Sequence, residues 1–377
     1  MSTKTISYGV TAALTLLLMA AQCGGVTETS TEAVVETVEE GAAGAEEPTS
    51  TAKPDAGAEE HDEADEHSEE ADHDHDEEHP LETMALEPLG LGAGEKLQIV
   101  VTTNIIGDMG HNVAGDLIDL AILIPTGSDP HTFQPTPQDA ASIADANVIL
   151  ANGLNYEVFL AELIDNAGGE AVLIHVAEGV ETRKFEGEQE HDEEHAAEDH
   201  EGADPHAWMT PHNALVYVYN IEAALSALDP ANAETYKANA ETYEAQLEAL
   251  DRWVFEQIET IPPKNRQMVT DHEAFGYYAD RYGLEIVGAV IPFYSTAAEP
   301  SAQGLARLEE TIGEFSTPAI FIGSGVNSTL AEQVAADTGT KLVPLYTESL
   351  GPPGSGVETY IDFIRYNTTA IAEGLTP

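Results

Sequence analysis

The chain has 377 residues and one cysteine, and its 13 Lys and Arg face 69 Asp and Glu, a formal charge of −56. That balance argues against nucleic acid as a partner, because phosphate binding needs clustered cations, and it sets the chain against an anionic membrane surface. A single cysteine makes no internal disulfide and no cysteine-based zinc site; the length suits about two domains, with 42% hydrophobic residues to build a core.

At the start, Lys4 precedes an apolar run from Val10 to Ala21. The run has the length of a signal-peptide core and falls short of the roughly 20 residues that a membrane span needs. Cys23 follows, then Gly24 and Gly25. Residues 1–23 resemble a bacterial lipoprotein signal, which implies lipidation of Cys23 and anchorage outside the cytoplasm; Gln22 departs from the small residue usual before that cysteine. Residues 24–95 hold 24 acidic groups against Lys53 alone. Such a segment buries too little apolar surface to offset its backbone entropy, so it reads as a disordered tether. His61, His67, His73, His75 and His79 lie among its carboxylates, a mixture suited to weak capture of transition metals.

From Leu97 onward, short runs rich in Val and Ile alternate with helical patterns. One set is Leu97–Thr103, Ala121–Pro125, Asn147–Ala151 and Ala171–Val176; the other is Gln267–Asp271, Glu285–Ile291, Ala319–Gly323 and Lys341–Tyr346. Runs of this kind, bounded by Gly, Pro, Asn or Asp, predict buried parallel strands with crossover helices. The expected fold is α/β: two lobes, residues 96–228 and 263–377, each with a four-stranded, mostly parallel sheet flanked by helices. Between them, residues 229–262 predict one long rigid helix. Asp229-Pro230 is its start signal, and Tyr236, Ala240, Tyr243, Leu247, Leu250, Val254, Ile258 and Ile261 recur every three or four residues before Pro262-Pro263. Such a rod would be roughly 46 Å long and would limit relative motion of the lobes.

Four polar residues fall after strand ends, where ligands bind in open α/β sheets. His131 follows Asp129-Pro130, His206 follows Asp204-Pro205, His272 follows the Gln267–Asp271 strand, and Glu348 follows the Lys341–Tyr346 strand. Singly, each reads as an ordinary loop residue. Jointly, two per lobe at a common cleft would make a His₃-carboxylate set suited to tetrahedral Zn²⁺, with Mn²⁺, which favours oxygen ligands, the weaker candidate. His175, inside a strand run, reads as core or near-core. Tyr156 and Trp208 read as lining or supporting the cleft.

Several segments, in order, carry a resemblance. They are Pro125-Thr126-Gly127-Ser128-Asp129-Pro130-His131-Thr132-Phe133, Ala151-Asn152-Gly153-Leu154-Asn155-Tyr156-Glu157, Asp204-Pro205-His206-Ala207-Trp208-Met209, Val269-Thr270-Asp271-His272-Glu273-Ala274-Phe275-Gly276-Tyr277 and Tyr346-Thr347-Glu348-Ser349-Leu350. From Leu97 to about Leu375 the chain resembles the zinc/manganese-type (cluster A-I) solute-binding proteins of bacterial ABC importers. The resemblance implies metal ligation by His131, His206, His272 and Glu348. It also implies permease and ATPase partners, a lipid anchor in the membrane and a monomer. In the family the last ligand is commonly Asp, and manganese-preferring members often carry Glu at the third, so His272 points to the zinc-preferring branch. The acidic insertion 186–204, with His191, His195 and His200, resembles the His-rich loop of zinc-preferring relatives and implies auxiliary metal capture.

Other readings stay open: a manganese or mixed receptor, a surface adhesin or metal buffer, and a zinc hydrolase. The last is disfavoured because a catalytic zinc keeps one position open for water, whereas here a fourth protein ligand fills it and no His-Glu-x-x-His helix is present. No catalytic residue is expected.

Overall fold

The computed structural model describes residues 86–92, 94–184 and 202–376, all within one compact unit. Cys23, the tether histidines and His191, His195 and His200 lie outside the described residues.

Two sheets form, each of four parallel strands. The first holds β1 (Leu97–Val101), β2 (Ile118–Ile122), β3 (Val148–Ala151) and β4 (Val172–His175) in the order β2-β1-β3-β4. The second repeats that order with β5 (Gln267–His272), β6 (Glu285–Ile291), β7 (Ala319–Gly323) and β8 (Lys341–Leu345) as β6-β5-β7-β8. Helices α1 (Asn104–Ala114), α2 (Pro137–Asp145) and α3 (Leu160–Ala167) lie among the first four strands. Helices α4 (Pro211–Leu228) and α5 (Ala233–Glu259) lead into the second lobe. There α6 (Gly276–Tyr282), α7 (Ala302–Phe315) and α8 (Thr329–Thr338) lie among the strands, and α9 (Tyr360–Leu375) follows them.

Alternation along the strands explains the layers, since successive side chains point to opposite faces. Leu97, Ile99 and Val101 of β1 enter one large core, while Val100 enters a smaller cluster with Ile143, Leu160 and Leu163 beneath α2 and α3. In the second lobe Met268, Ala319 and Phe321 join the large core, while Val269 and Ile320 pack with Leu308 and Val334 beneath α7 and α8. The large core is therefore shared. It runs through the buried stripe of α5, which packs against α1, α4, α6 and α9.

The predicted stripe of α5 is the buried one, Tyr236 through Ile258. The helix starts four residues later than Asp229, and its 27 residues span about 40 Å. Asp229 instead ends α4, its N–H donating to Leu225 O (2.8 Å), while its carboxylate accepts from Tyr236 Oη (2.8 Å). Strand β2 lies three residues earlier than its apolar run suggests. It is an edge strand with one buried residue, Ile118, so the polar Asp119 is tolerated inside it. His175, read as core or near-core, is exposed on the edge strand β4. Composition places residues 86–95 in the tether, yet Leu86, Leu89 and Leu91 pack against the shared core and Leu89 N–H donates to Leu228 O (2.9 Å). Three leucines closely spaced give this end an apolar contact that the acidic average conceals. No helix among the described residues is long and apolar enough to cross a membrane.

Candidate metal centre

Each lobe delivers two side chains from beyond its strand ends. After β2 the chain turns at Gly127 (φ +79°), with Ser128 N–H donating to Pro125 O (2.9 Å). Asp129 Oδ1 then accepts from His131 N–H (3.0 Å) and starts the short 3₁₀ turn that carries His131. Asp204 does the same for His206 N–H (3.0 Å), just before the turn into α4. His272 is the last residue of β5, and Glu348 lies in the loop after β8.

The structure brings these four together: one donor atom from each of His131, His206, His272 and Glu348 lies within 4.8 Å of all the others. Tetrahedral zinc with bonds of 2.0–2.1 Å places its donors about 3.3 Å apart, so a small inward adjustment closes the set. His206 and His272 are fully buried and Glu348 nearly so, 2% exposed. Glu348 Oε1 sits 2.9 Å from His272 Nε2 and 3.5 Å from His206 Nε2. The buried Nε2 atoms of His131 and His206 have no hydrogen-bond partner. Unpartnered buried nitrogens around a carboxylate oxygen are costly and fit a cation that would satisfy them.

Two carboxylates orient the imidazoles. Asp204 Oδ1 lies 2.8 Å from His206 Nδ1, and Asp271 Oδ1 lies 3.0 Å from His272 Nδ1. A proton on each Nδ1 leaves the Nε2 lone pair facing inward, the arrangement that orients metal-bound histidines. Asp271 is itself held by Gly323 N–H donating to Oδ2 (2.7 Å). A Cβ at Gly323 would lie 2.3 Å from Thr347 Oγ1, so only glycine fits there. These two aspartates were not singled out from sequence, although an Asp stands one or two residues before every candidate histidine.

Charge in the cluster is shared. Burial, outweighing the pull of Glu348, pushes His131 down to about 4 and keeps it neutral. For His272 burial works the other way from Asp271 and Glu348, and the carboxylates win, raising it to about 10. His206 is raised by Glu348 and Asp204 against its burial. Glu348, despite burial, is held well below the usual carboxylate range by the three histidines, His206 foremost.

The lobes also meet around the site. Tyr156 Oη donates to Glu348 Oε2 (2.5 Å), Trp208 Nε1 donates to Thr347 O (2.9 Å), and Thr296 Oγ1 donates to Asp129 Oδ2 (2.6 Å). Asn104, at the start of α1, accepts from Leu350 N–H (2.9 Å). Tyr156 and Trp208 thus touch the cleft as their segments suggest.

A family model described as zinc-uptake complex component A, periplasmic (ZnuA), matches residues 99–374. The chain belongs to the ZnuA family. Among its relatives, the manganese-binding lipoprotein MntA of Halalkalibacterium halodurans is 32% identical over 284 residues, covering 75% of this chain and 90% of that protein. The manganese ABC transporter substrate-binding lipoprotein PsaA of Streptococcus pneumoniae serotype 4 is 32% identical over 290 residues, covering 75% and 90%. Among solved structures, the periplasmic zinc-binding protein TroA of Treponema pallidum aligns with a TM-score of 0.66 at 26% identity, covering 75% of this chain and all of that one. A Mn-bound periplasmic metal-binding protein of Candidatus Liberibacter asiaticus aligns at 0.64 with 29% identity, covering 74% and 100%. Of these two solved relatives, one is a zinc-binding protein and the other is Mn-bound.

Proposed function

We propose that this ZnuA-family chain is the extracytoplasmic receptor of an ABC importer and that it carries Zn²⁺ between its lobes. His131, His206, His272 and Glu348 would be the ligands, with Asp204 and Asp271 orienting two of them. The observation that carries the reading is the donor set itself: three imidazoles with buried Nε2 atoms, two of them without a hydrogen-bond partner, around one carboxylate oxygen. Nitrogen-rich, four-donor sites suit zinc, and manganese favours more oxygen. The relatives named as lipoproteins support anchorage through Cys23 and delivery to a permease and ATPase. The receptor would act as a monomer, and His191, His195 and His200 would raise the local zinc concentration.

A manganese receptor is the second reading, favoured by the two lipoprotein relatives that are manganese proteins. Competition titration of Zn²⁺ against Mn²⁺ on the full chain separates the two. One tight site preferring zinc at least 100-fold is expected. Equal or reversed preference would overturn the zinc assignment and leave the family assignment standing.

A further inference from the structure

We propose that Tyr156 sets the metal preference of the site by confining Glu348 to one donating oxygen. The inference rests on the four-ligand reading above and goes beyond it, to the number of donors.

The two oxygens of Glu348 have different neighbours. Oε1 lies among the imidazoles, 2.9 Å from His272 Nε2 and 3.5 Å from His206 Nε2. Oε2 accepts from Tyr156 Oη at 2.5 Å. A carboxylate that binds through both oxygens must turn both toward the ion, and this one would have to give up a buried, charge-assisted hydrogen bond to do so. With Oε2 held, three nitrogens and one oxygen remain, a tetrahedral count that zinc accepts and that leaves manganese short of its preferred oxygen donors.

The hydroxyl can do this because its ring is fixed. Tyr156 is 2% exposed and stands edge-on to Trp208 (centroids 4.8 Å apart) and to His131 (5.2 Å). Trp208 in turn holds Thr347 O, the carbonyl next to Glu348, and accepts from Tyr360 Oη on its own carbonyl (2.7 Å). The loop that presents Tyr156 is unusual. Gly153, Leu154 and Asn155 all have left-handed backbone, at φ +86°, +52° and +59°. Two non-glycine residues in that region persist only where neighbours over-determine them. Here the buried Glu157 carboxylate does so, accepting from Asn152 N–H (2.7 Å), Gly153 N–H (3.1 Å) and Thr102 Oγ1 (2.6 Å). The strained turn thus aims a tyrosine of one lobe at the carboxylate of the other.

The test is Tyr156→Phe in the full chain, which keeps the ring packing and removes only the hydroxyl. Co²⁺ is the spectroscopic probe, because four-coordinate cobalt has intense visible bands and higher coordination weak ones. The wild type is expected to show the intense bands. The variant is expected to lose them several-fold and to reduce the Zn²⁺-over-Mn²⁺ affinity ratio by about tenfold or more, within the usual effect of an outer-shell contact. An unchanged spectrum and ratio, or an equal loss of both affinities, would overturn the proposal. Zinc X-ray absorption on the wild type needs no variant: four donors support the proposal and five refute it. Failure is attributable, because a wild type that itself prefers manganese removes the zinc reading, whereas an indifferent Tyr156→Phe removes this inference alone.

Discussion

Asp271 touches no ion in the proposed centre, yet it decides which nitrogen of His272 faces one. Asp271→Asn is expected to weaken zinc binding by about 10–100-fold, measured by titration calorimetry, with the metal-free fold retained. His131→Ala removes a donor outright and is expected to abolish the tight site; unchanged affinity in either variant would refute the geometry. The same cluster sets a pH dependence. His272, raised to about 10, holds a proton at neutral pH in the metal-free protein, whereas His131, lowered to about 4, does not. Metal must displace the protons it meets, so binding at pH 7 is expected to release about one or more. Affinity then climbs between pH 7 and the raised His272 value. Calorimetry in buffers of different ionisation enthalpy reads this directly, and a slope of zero would contradict it. Histidines at strand ends were legible in the sequence because residue type and local position mark them. Their aspartate partners were written beside them but have no signature of their own: an Asp before a His is a common loop feature until both are buried together.

Among the elements, α5 shows how far local pattern reaches. Its buried stripe could be read from spacing alone, since a period near 3.6 is a property of one segment. Its start could not. Asp229-Pro230 is a good helix-start signal, but Asp229 is engaged by Leu225 behind it and Tyr236 ahead of it, and it shapes the corner between α4 and α5. The edge strand β2 fails for a related reason, because a strand with one paired side and few buried residues has little apolar signal to read. Leu247 lies mid-stripe and is fully buried. Leu247→Ala is expected to cost about 2–5 kcal/mol, seen as a lower denaturation midpoint. A change below about 0.5 kcal/mol, the range of surface substitutions, would show that the helix is not the packed spine described above.

Two lobes would ordinarily suggest two unfolding events. The shared core argues otherwise, because residues from Leu97 to Leu375 belong to one buried cluster and neither sheet closes its inner face alone. Scanning calorimetry of the metal-free chain is expected to show one transition with matching calorimetric and van't Hoff enthalpies; two resolved peaks would refute the shared core. Metal at 1,000 times its dissociation constant should raise stability by about 4 kcal/mol.

What the sequence determined by itself is local: two sets of strand runs, a long helix with one apolar stripe, and four polar residues placed just past strand ends. These follow from periodicity and turn chemistry, which act over a few neighbouring residues. The tertiary structure alone decided the repeated strand order, the common core and the distances among His131, His206, His272 and Glu348. It also decided the meeting of Tyr156 with Glu348, 192 positions away. Such contacts depend on how whole layers stack and cross, and no short window of sequence holds both partners.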